Sequence, residues 1–274
     1  MLHPYYGVLA GHENSNYHQV AAVPNLTESL AFASIREIAE LLRAGDFSCV
    51  ELAEFFLDRL KSIGPKLNAV VTVTEELGIR QAEQADRELK SGTDRGPLHG
   101  IPYGVKDLLA TKDVPTSWGA APFRDRIIDA DSTVVARLTE AGAVLIGKLA
   151  MVEIAGGLGY RQANASFTGP GLNPWDTSRW AGGSSSGPGS AVGGGLVPFA
   201  IGSETWGSIM TPAAFCGISG LRPTYGRVSR HGAMALAWTV DKLGPMCRTA
   251  DDCGLVLQVI AGVDKEDESS VDLP

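Results

Sequence analysis

No apolar stretch approaches the ~20 residues that cross a bilayer, and the first thirty residues lack the basic start and apolar run of a secretory leader. The chain therefore reads as cytoplasmic, with no membrane partner. Basic charge is also scarce. Lys and Arg number 23 against 31 Asp and Glu, the formal net charge is -8, and no basic run occurs, which argues against nucleic acid as a direct ligand. Of five histidines, His3, His12 and His18 sit at irregular spacing in a polar, aperiodic stretch, where exposed side chains are a better reading than a metal site. The four cysteines, Cys49, Cys216, Cys247 and Cys253, have no metal-type spacing, and Cys247 and Cys253 stand too far apart for a redox pair. They read as reduced, mostly buried thiols.

What is abundant is glycine, 33 of 274 residues, crowded into Gly156–Gly220, where the backbone must turn tightly or approach something closely. The 44% apolar content and the length suit one large domain. Residues 1–30 read as an N-terminal arm, 31–263 as the folded body, and the acidic 264–274 as the start of a linker. No internal repeat interrupts the body.

Within it, Ser34 with Glu37 and Ser48 with Glu51 have the form of capping boxes ahead of apolar 3.6-residue repeats, predicting helices that end near Gly45 and Gly64. Ala69–Thr74 reads as strand, Glu75–Lys90 as helix stopped by Gly92, Ile101–Lys106 as strand, Thr133–Ala141 as helix capped by Asp131 or Ser132, and Ala143–Gly147 as strand. Val197–Ile201 follows as a short strand, Ile209–Cys216 as helical turns, and a helix through Ile260 is capped by Thr249 or Asp251. Such alternation predicts an α/β fold.

Two serine-bearing glycine loops, A-G-G-S-S-S-G-P-G-S (Ala181–Ser190) and G-S-E-T-W-G-S-I-M-T-P-A-A-F-C-G (Gly202–Gly217), flank that short strand, so their hydroxyls can converge at a strand end. Gly183–Gly187 has the G-x-S-x-G form of a nucleophile elbow on Ser185, but N-P-W-D-T-S-R-W before it is turn chemistry, and the only later histidine is His231. The elbow is the weaker reading. Lys106 offers another base, because a lysine buried at a strand end loses charge and accepts a proton. Its bland alternative, a salt bridge to Asp107 or another carboxylate, is the commoner fate of such a lysine.

L-H-G-I-P-Y-G-V-K-D, the G-G-S-S-S-G loop, and G-S-E-T-W-G-S-I with A-A-F-C-G-I-S-G-L-R-P-T-Y-G-R-V-S resemble the amidase signature family, over most of the chain from Ile35 to Asp264. That family includes fatty-acid amide hydrolases, bacterial amidases and the glutaminase subunit of tRNA-dependent amidotransferases. The resemblance implies a mixed, largely open sheet with helices on both faces, and hydrolysis of a small-molecule amide with no metal and no cofactor. Catalysis would run through Ser208 as nucleophile, Ser184 as bridging hydroxyl and neutral Lys106 as base, the interval from Ser184 to Ser208 matching the family's. Backbone N–H groups of Thr205, Trp206, Gly207 and Ser208 would meet the oxyanion, a device worth ~3–4 kcal/mol per donor. Ser185, Gly183 and Asp107 would support them. The expected activity is a general amidase; the alternatives are a glutaminase subunit of an amidotransferase and a catalytically inert assembly protein.

Glu204, Trp206 and Met210 stand where the family's D-T-G-G-S-I-R has Asp, Gly and Arg. Glu204 is expected to be a structural acceptor. Trp206 would strain the turn if φ had to be positive, and otherwise its indole should wall the acyl pocket. His99 reads as loop-fixing, and Tyr160, Trp175, Trp180 and Trp238 as core packing or cleft lining. Because the family's chains are longer, the C-terminal part of the fold is expected to be missing. That predicts an uncovered apolar edge, poor solubility, and a homo-oligomer or a separate C-terminal chain as partner.

Overall fold

The computed structural model describes residues 26–156 and 166–272. His3, His12, His18 and Tyr160 lie outside the described residues. Helices α1 (Ile35–Ala44) and α2 (Cys49–Ser62) begin at the expected caps. Ser34 and Ser48 accept the N–H groups of Glu37 and Glu51, whose carboxylates take the cap N–H groups in return. Gly45, at φ +82°, ends α1. Then come β1 (Val70–Val73), α3 (Glu75–Lys90), β2 (Pro102–Lys106), α4 (Thr133–Glu140) and β3 (Val144–Leu149), each within about two residues of the sequence reading at either end. Ser132 caps α4, and Thr249 caps the last helix.

Apart from the two-residue strand Ser219–Gly220, two helices or strands had no sequence signal. One is α5 (Ser186–Gly193), S-G-P-G-S-A-V-G, whose glycines and proline disfavour a helix by about 1 kcal/mol and more per residue. Packing overrides that preference, because all eight residues are buried and a Cβ on Gly187 would lie 2.3 Å from the Ala150 amide nitrogen and 2.5 Å from the Ala69 carbonyl oxygen. The helix rests directly on the backbone at the end of β3. After β4 (Phe199–Glu204), α6 (Met210–Cys216) and the two-residue β5 (Ser219–Gly220) comes the second, β6 (Lys242–Cys247). Its Gly-Pro pair reads as a breaker, yet Gly244 is needed where the Leu221 carbonyl would sit 2.2 Å from any Cβ. Helix α7 (Ala250–Ile260) closes the body.

The strands form one six-stranded sheet in the order β1-β3-β2-β4-β6-β5. Its centre, β3-β2-β4, is parallel and the outer pairings are antiparallel, giving the mixed α/β sheet expected. β3 lies on one side of β2 and β4 on the other, so the chain reverses its direction of winding at β2. In open α/β sheets the carboxyl ends of strands at such a reversal form a ligand crevice. Here those ends carry Lys106 on β2 and Glu204 on β4.

All four cysteines are free and buried. Part of the acidic stretch expected to begin a linker lies on the body. Asp264 accepts hydroxyls from Ser229 and Thr133, Asp267 accepts the Arg230 N–H, and the Val271 N–H reaches the Gly226 carbonyl.

Gly187→Ala is expected to cost about 3 kcal/mol of unfolding free energy, because backbone atoms cannot give way to a new methyl. Removing one cap with Ser48→Ala should cost about 1 kcal/mol. Urea denaturation of both variants checks this, and equal small losses would contradict the packing account of α5.

Candidate active site

Lys106 ends a strand whose five residues are all buried, and it is itself 0% exposed. The register Val105↔Ile201 sets the end of β4 beside it. Its Nζ lies 2.7 Å from Ser184 Oγ, 2.9 Å from Ser203 Oγ and 3.5 Å from the Ser203 carbonyl oxygen. Among the described residues no carboxylate pairs with it. Burial lowers its pKa from 10.5 to about 7, while the negative charges of Asp241 and Glu204 hold it from falling further.

The salt bridge weighed as the bland alternative goes to another lysine. Asp107 accepts the Ser117 N–H at 3.0 Å and the Ser117 hydroxyl, and its Oδ1 lies 3.5 Å from Lys148 Nζ. Successive side chains of an extended segment point to opposite faces, which separates Asp107 from Lys106. Lys148, fully buried on β3, also donates to the Leu109 carbonyl at 2.5 Å and Thr116 Oγ1 at 2.8 Å. Burial still lowers its pKa to about 8 and raises that of Asp107. Asp107 thus braces the chain after β2 and does not touch the Lys106 ammonium.

Ser184 follows a cis peptide bond from Gly183, and its carbonyl accepts the Val152 N–H at 3.0 Å. Gly183 lets the loop lie against its neighbours, since a Cβ there would come within 2.7 Å of the Trp180 ring and 2.8 Å of Val152 Cγ2. Ser185 pins this loop to β4. Its hydroxyl donates to the Ser203 carbonyl at 3.1 Å and accepts the Ser203 N–H at 3.2 Å, while its own N–H donates to the Ser208 carbonyl at 3.2 Å. That last bond brings the two serine loops together. Ser208 is 4% exposed, and among the described residues no hydrogen bond joins its hydroxyl to that of Ser184.

The turn ahead of Ser208 is organised by Glu204, which accepts the N–H groups of Ile209 at 2.8 Å and Met210 at 2.9 Å and faces Arg222 at 3.4 Å. Burial alone would raise its pKa; the Met210, Ile209 and Gly207 N–H groups and Arg222 outweigh it and hold the carboxyl below its usual range. The Gly207 N–H is thereby directed to Glu204. Those of Trp206 and Ser208 find no acceptor among the described residues. Left-handed backbone falls on Gly207, at φ +96°, and not on Trp206. The indole of Trp206 is 87% exposed, lining an open groove with Glu204, Gly207, Met210, Thr211 and Arg222, so it is no buried wall.

His99, 0% exposed, accepts the Arg95 N–H on Nδ1 at 3.1 Å, fixing the loop before β2. Trp180 packs beneath Gly183, whereas Trp175 and Trp238 are 73% and 76% exposed and belong to no core. The residue that sequence reasoning missed is Ser203, a second hydroxyl on Lys106. Its signal was the strand period, because β4 continues past Ile201 and places residue 203 on the same side as 201.

Residues 51–274 match the Amidase family model. A subunit of glutamyl-tRNA(Gln) amidotransferase from Methylococcus capsulatus is 46% identical over 88% of the chain, which covers 49% of that protein. The corresponding protein of Coxiella burnetii is 47% identical over 87% of the chain and 48% of its own length. Among solved structures, the native peptide amidase from Stenotrophomonas maltophilia superimposes with a TM-score of 0.83 at 35% identity, over 88% of this chain and 50% of that one. The chain spans about half the length of the curated relatives it matches.

Burial of Lys106 predicts a pH signature. With a folded pKa near 7 against 10.5 unfolded, the unfolded state binds more protons between those values, so this group's penalty is full below about pH 7 and fades as pH rises toward 10. Lys106→Met should therefore be more stable than the parent chain at pH 7, with the advantage narrowing by pH 9. Paired denaturant titrations at the two pH values check this; a constant or widening difference would contradict it.

Proposed function

The chain belongs to the amidase family, and from that membership we propose that it cleaves a carboxylic amide through an acyl-enzyme on Ser208, with Ser184 and Lys106 relaying the proton. The observation that carries this reading is the buried 2.7 Å contact between Lys106 Nζ and Ser184 Oγ, made by a lysine with no carboxylate partner among the described residues. A neutral amine has two N–H bonds and one lone pair. Ser203 supplies two acceptors for the former, its hydroxyl and its carbonyl, and the Ser184 hydroxyl faces the latter.

The reaction requires the Ser208 hydroxyl to swing onto Ser184 Oγ. As Ser208 Oγ bonds to the amide carbon, its proton passes to Ser184 and the Ser184 proton to Lys106. The oxyanion then rests against backbone N–H groups of Thr205, Trp206 and Ser208, the Gly207 N–H being turned to Glu204. Return of the proton to the amide nitrogen breaks the C–N bond, and water hydrolyses the ester.

The relatives at 46–47% identity favour the glutaminase alternative over the general amidase of the sequence reading, and with it the side-chain amide of glutamine as substrate. Ammonia release for an amidotransferase fits that choice, and partner subunits then become part of the active assembly. Trp206 at the groove mouth supports the competing reading, a bulkier amide.

A fluorophosphonate should label Ser208, as read by mass spectrometry of the adduct. Ser208→Ala should abolish labelling, and Lys106→Ala and Ser184→Ala should lower it by ~10³-fold or more. Unlabelled, folded protein would favour the inert assembly reading. Glutamine turnover exceeding that of an anilide panel supports the glutaminase choice, and the reverse supports the bulkier amide.

A further inference from the structure

Asp241 lies just before β6 and is 8% exposed. The pairing Glu204↔Lys242 brings it abreast of Thr205, the first residue of the turn that ends in Ser208. Its Oδ1 accepts the Thr205 hydroxyl, while Oδ2 accepts the N–H groups of Leu236 at 2.7 Å and Ala237 at 2.9 Å. The Asp241 N–H returns to the Ala237 carbonyl at 2.9 Å, and Lys242 Nζ holds the Thr205 carbonyl at 3.2 Å. Leu236 packs on Gly156, where a Cβ would lie 2.8 Å from its Cδ2. Gly156 in turn closes the 3₁₀ turn Glu153–Ala155, next to the Val152 N–H that holds the Ser184 carbonyl.

We propose that Asp241 is a positioning residue for the nucleophile-bearing turn, with one carboxylate fixing Thr205 on one side and the segment 236–240 on the other. The inference rests on the catalytic reading of Ser208. It also ties the segment 236–240, with its exposed Leu236, Trp238 and Val240, to the turn that ends in Ser208. Three donors converge on two acceptor-only oxygens; an amide in the same place could keep its oxygen on the two N–H groups and donate its NH₂ to Thr205 Oγ1, but it would carry no charge.

The charge of Asp241 also reaches Lys106, whose proton affinity it raises. The other charged groups facing Lys106 are few. Among the described residues β4 contributes Glu204, itself engaged by Arg222; Lys148 of β3 and Asp107 pair with each other on the opposite face, and the loop at Ser184 brings hydroxyls. Asp241 therefore links the position of the nucleophile turn to the protonation of the base.

The test compares Asp241→Ala, Asp241→Asn, Thr205→Val and Thr205→Ser in the full chain, each first matched to the parent by near-UV circular dichroism. Amide hydrogen exchange at Leu236 and Ala237 should accelerate about tenfold or more in Asp241→Ala, which removes both acceptors, and stay unchanged in both Thr205 variants. The rate of fluorophosphonate labelling at Ser208 should fall about tenfold in Asp241→Ala and in Thr205→Val, and recover in Thr205→Ser. Only Asp241→Ala and Asp241→Asn should move the midpoint of the labelling rate's rise with pH, and they should move it to lower pH, since the charge that favours protonated Lys106 is gone. Unchanged exchange at Leu236 and Ala237, or an unmoved midpoint beside a slower rate, would overturn the proposal. Should the parent chain not label at all, the catalytic reading fails, and the exchange measurement still decides the Asp241 tie by itself.

Discussion

A lysine amine sealed under the sheet end against two serine hydroxyls, with no carboxylate paired to it among the described residues, is the constraint on which the rest of the site depends. A charged ammonium in such a place costs several kcal/mol unless paired, so burial pushes Lys106 toward the neutral amine. The fold supplies the counterpart conditions. Parallel β2 and β4 deliver Lys106 and Ser203 to one sheet end, and the glycine-rich α5 sits closely enough on Ala150 to hold Ser184 over the amine. Asp107 and Lys148, also buried, satisfy each other on the far side of the strand and leave Lys106 alone.

Charge is distributed in the same sense around the nucleophile. Glu204 is spent on the first N–H groups of α6 and on Arg222, and Asp241 on Thr205 and two loop amides. Both are near enough to set the proton affinity of Lys106 without pairing with it. Met210, standing where the family pattern has arginine, brings no charge, and Arg222 is the cation facing Glu204. The groove that Glu204, Gly207, Met210, Thr211 and Arg222 form with Trp206 consequently joins a buried carboxylate to an exposed indole.

Much of this was legible from the residues, and the failures share one physical origin. Capping boxes at Ser34 and Ser48 marked two helices to within a residue because the signal is local chemistry, and apolar periodicity placed β2 and α3 for the same reason. The helix α5 and the strand β6 were hidden because glycine and proline oppose them locally, and close backbone contact at Gly187 and Gly244 decides the matter. At the site, the meeting of Lys106 and Ser184 was implied by the resemblance to the amidase signature family, and not by the residues alone. The partner of Asp107 was implied by neither, since nothing along the chain says that Lys148 lies alongside. Trp206 was read as a strained turn residue or a pocket wall from its place in the motif; the positive φ falls on Gly207, and Trp206 is 87% exposed.

The most direct measurement of the central claim is the protonation state of Lys106 itself, followed by NMR of the chain carrying lysine labelled with ¹³C at Cε, and assigned by loss of one resonance in Lys106→Met. This signal is expected to titrate near pH 7, well below those of the exposed lysines. A Lys106 that stays an ammonium up to pH 10 would contradict it, because a proton already held there leaves Ser184 with no base.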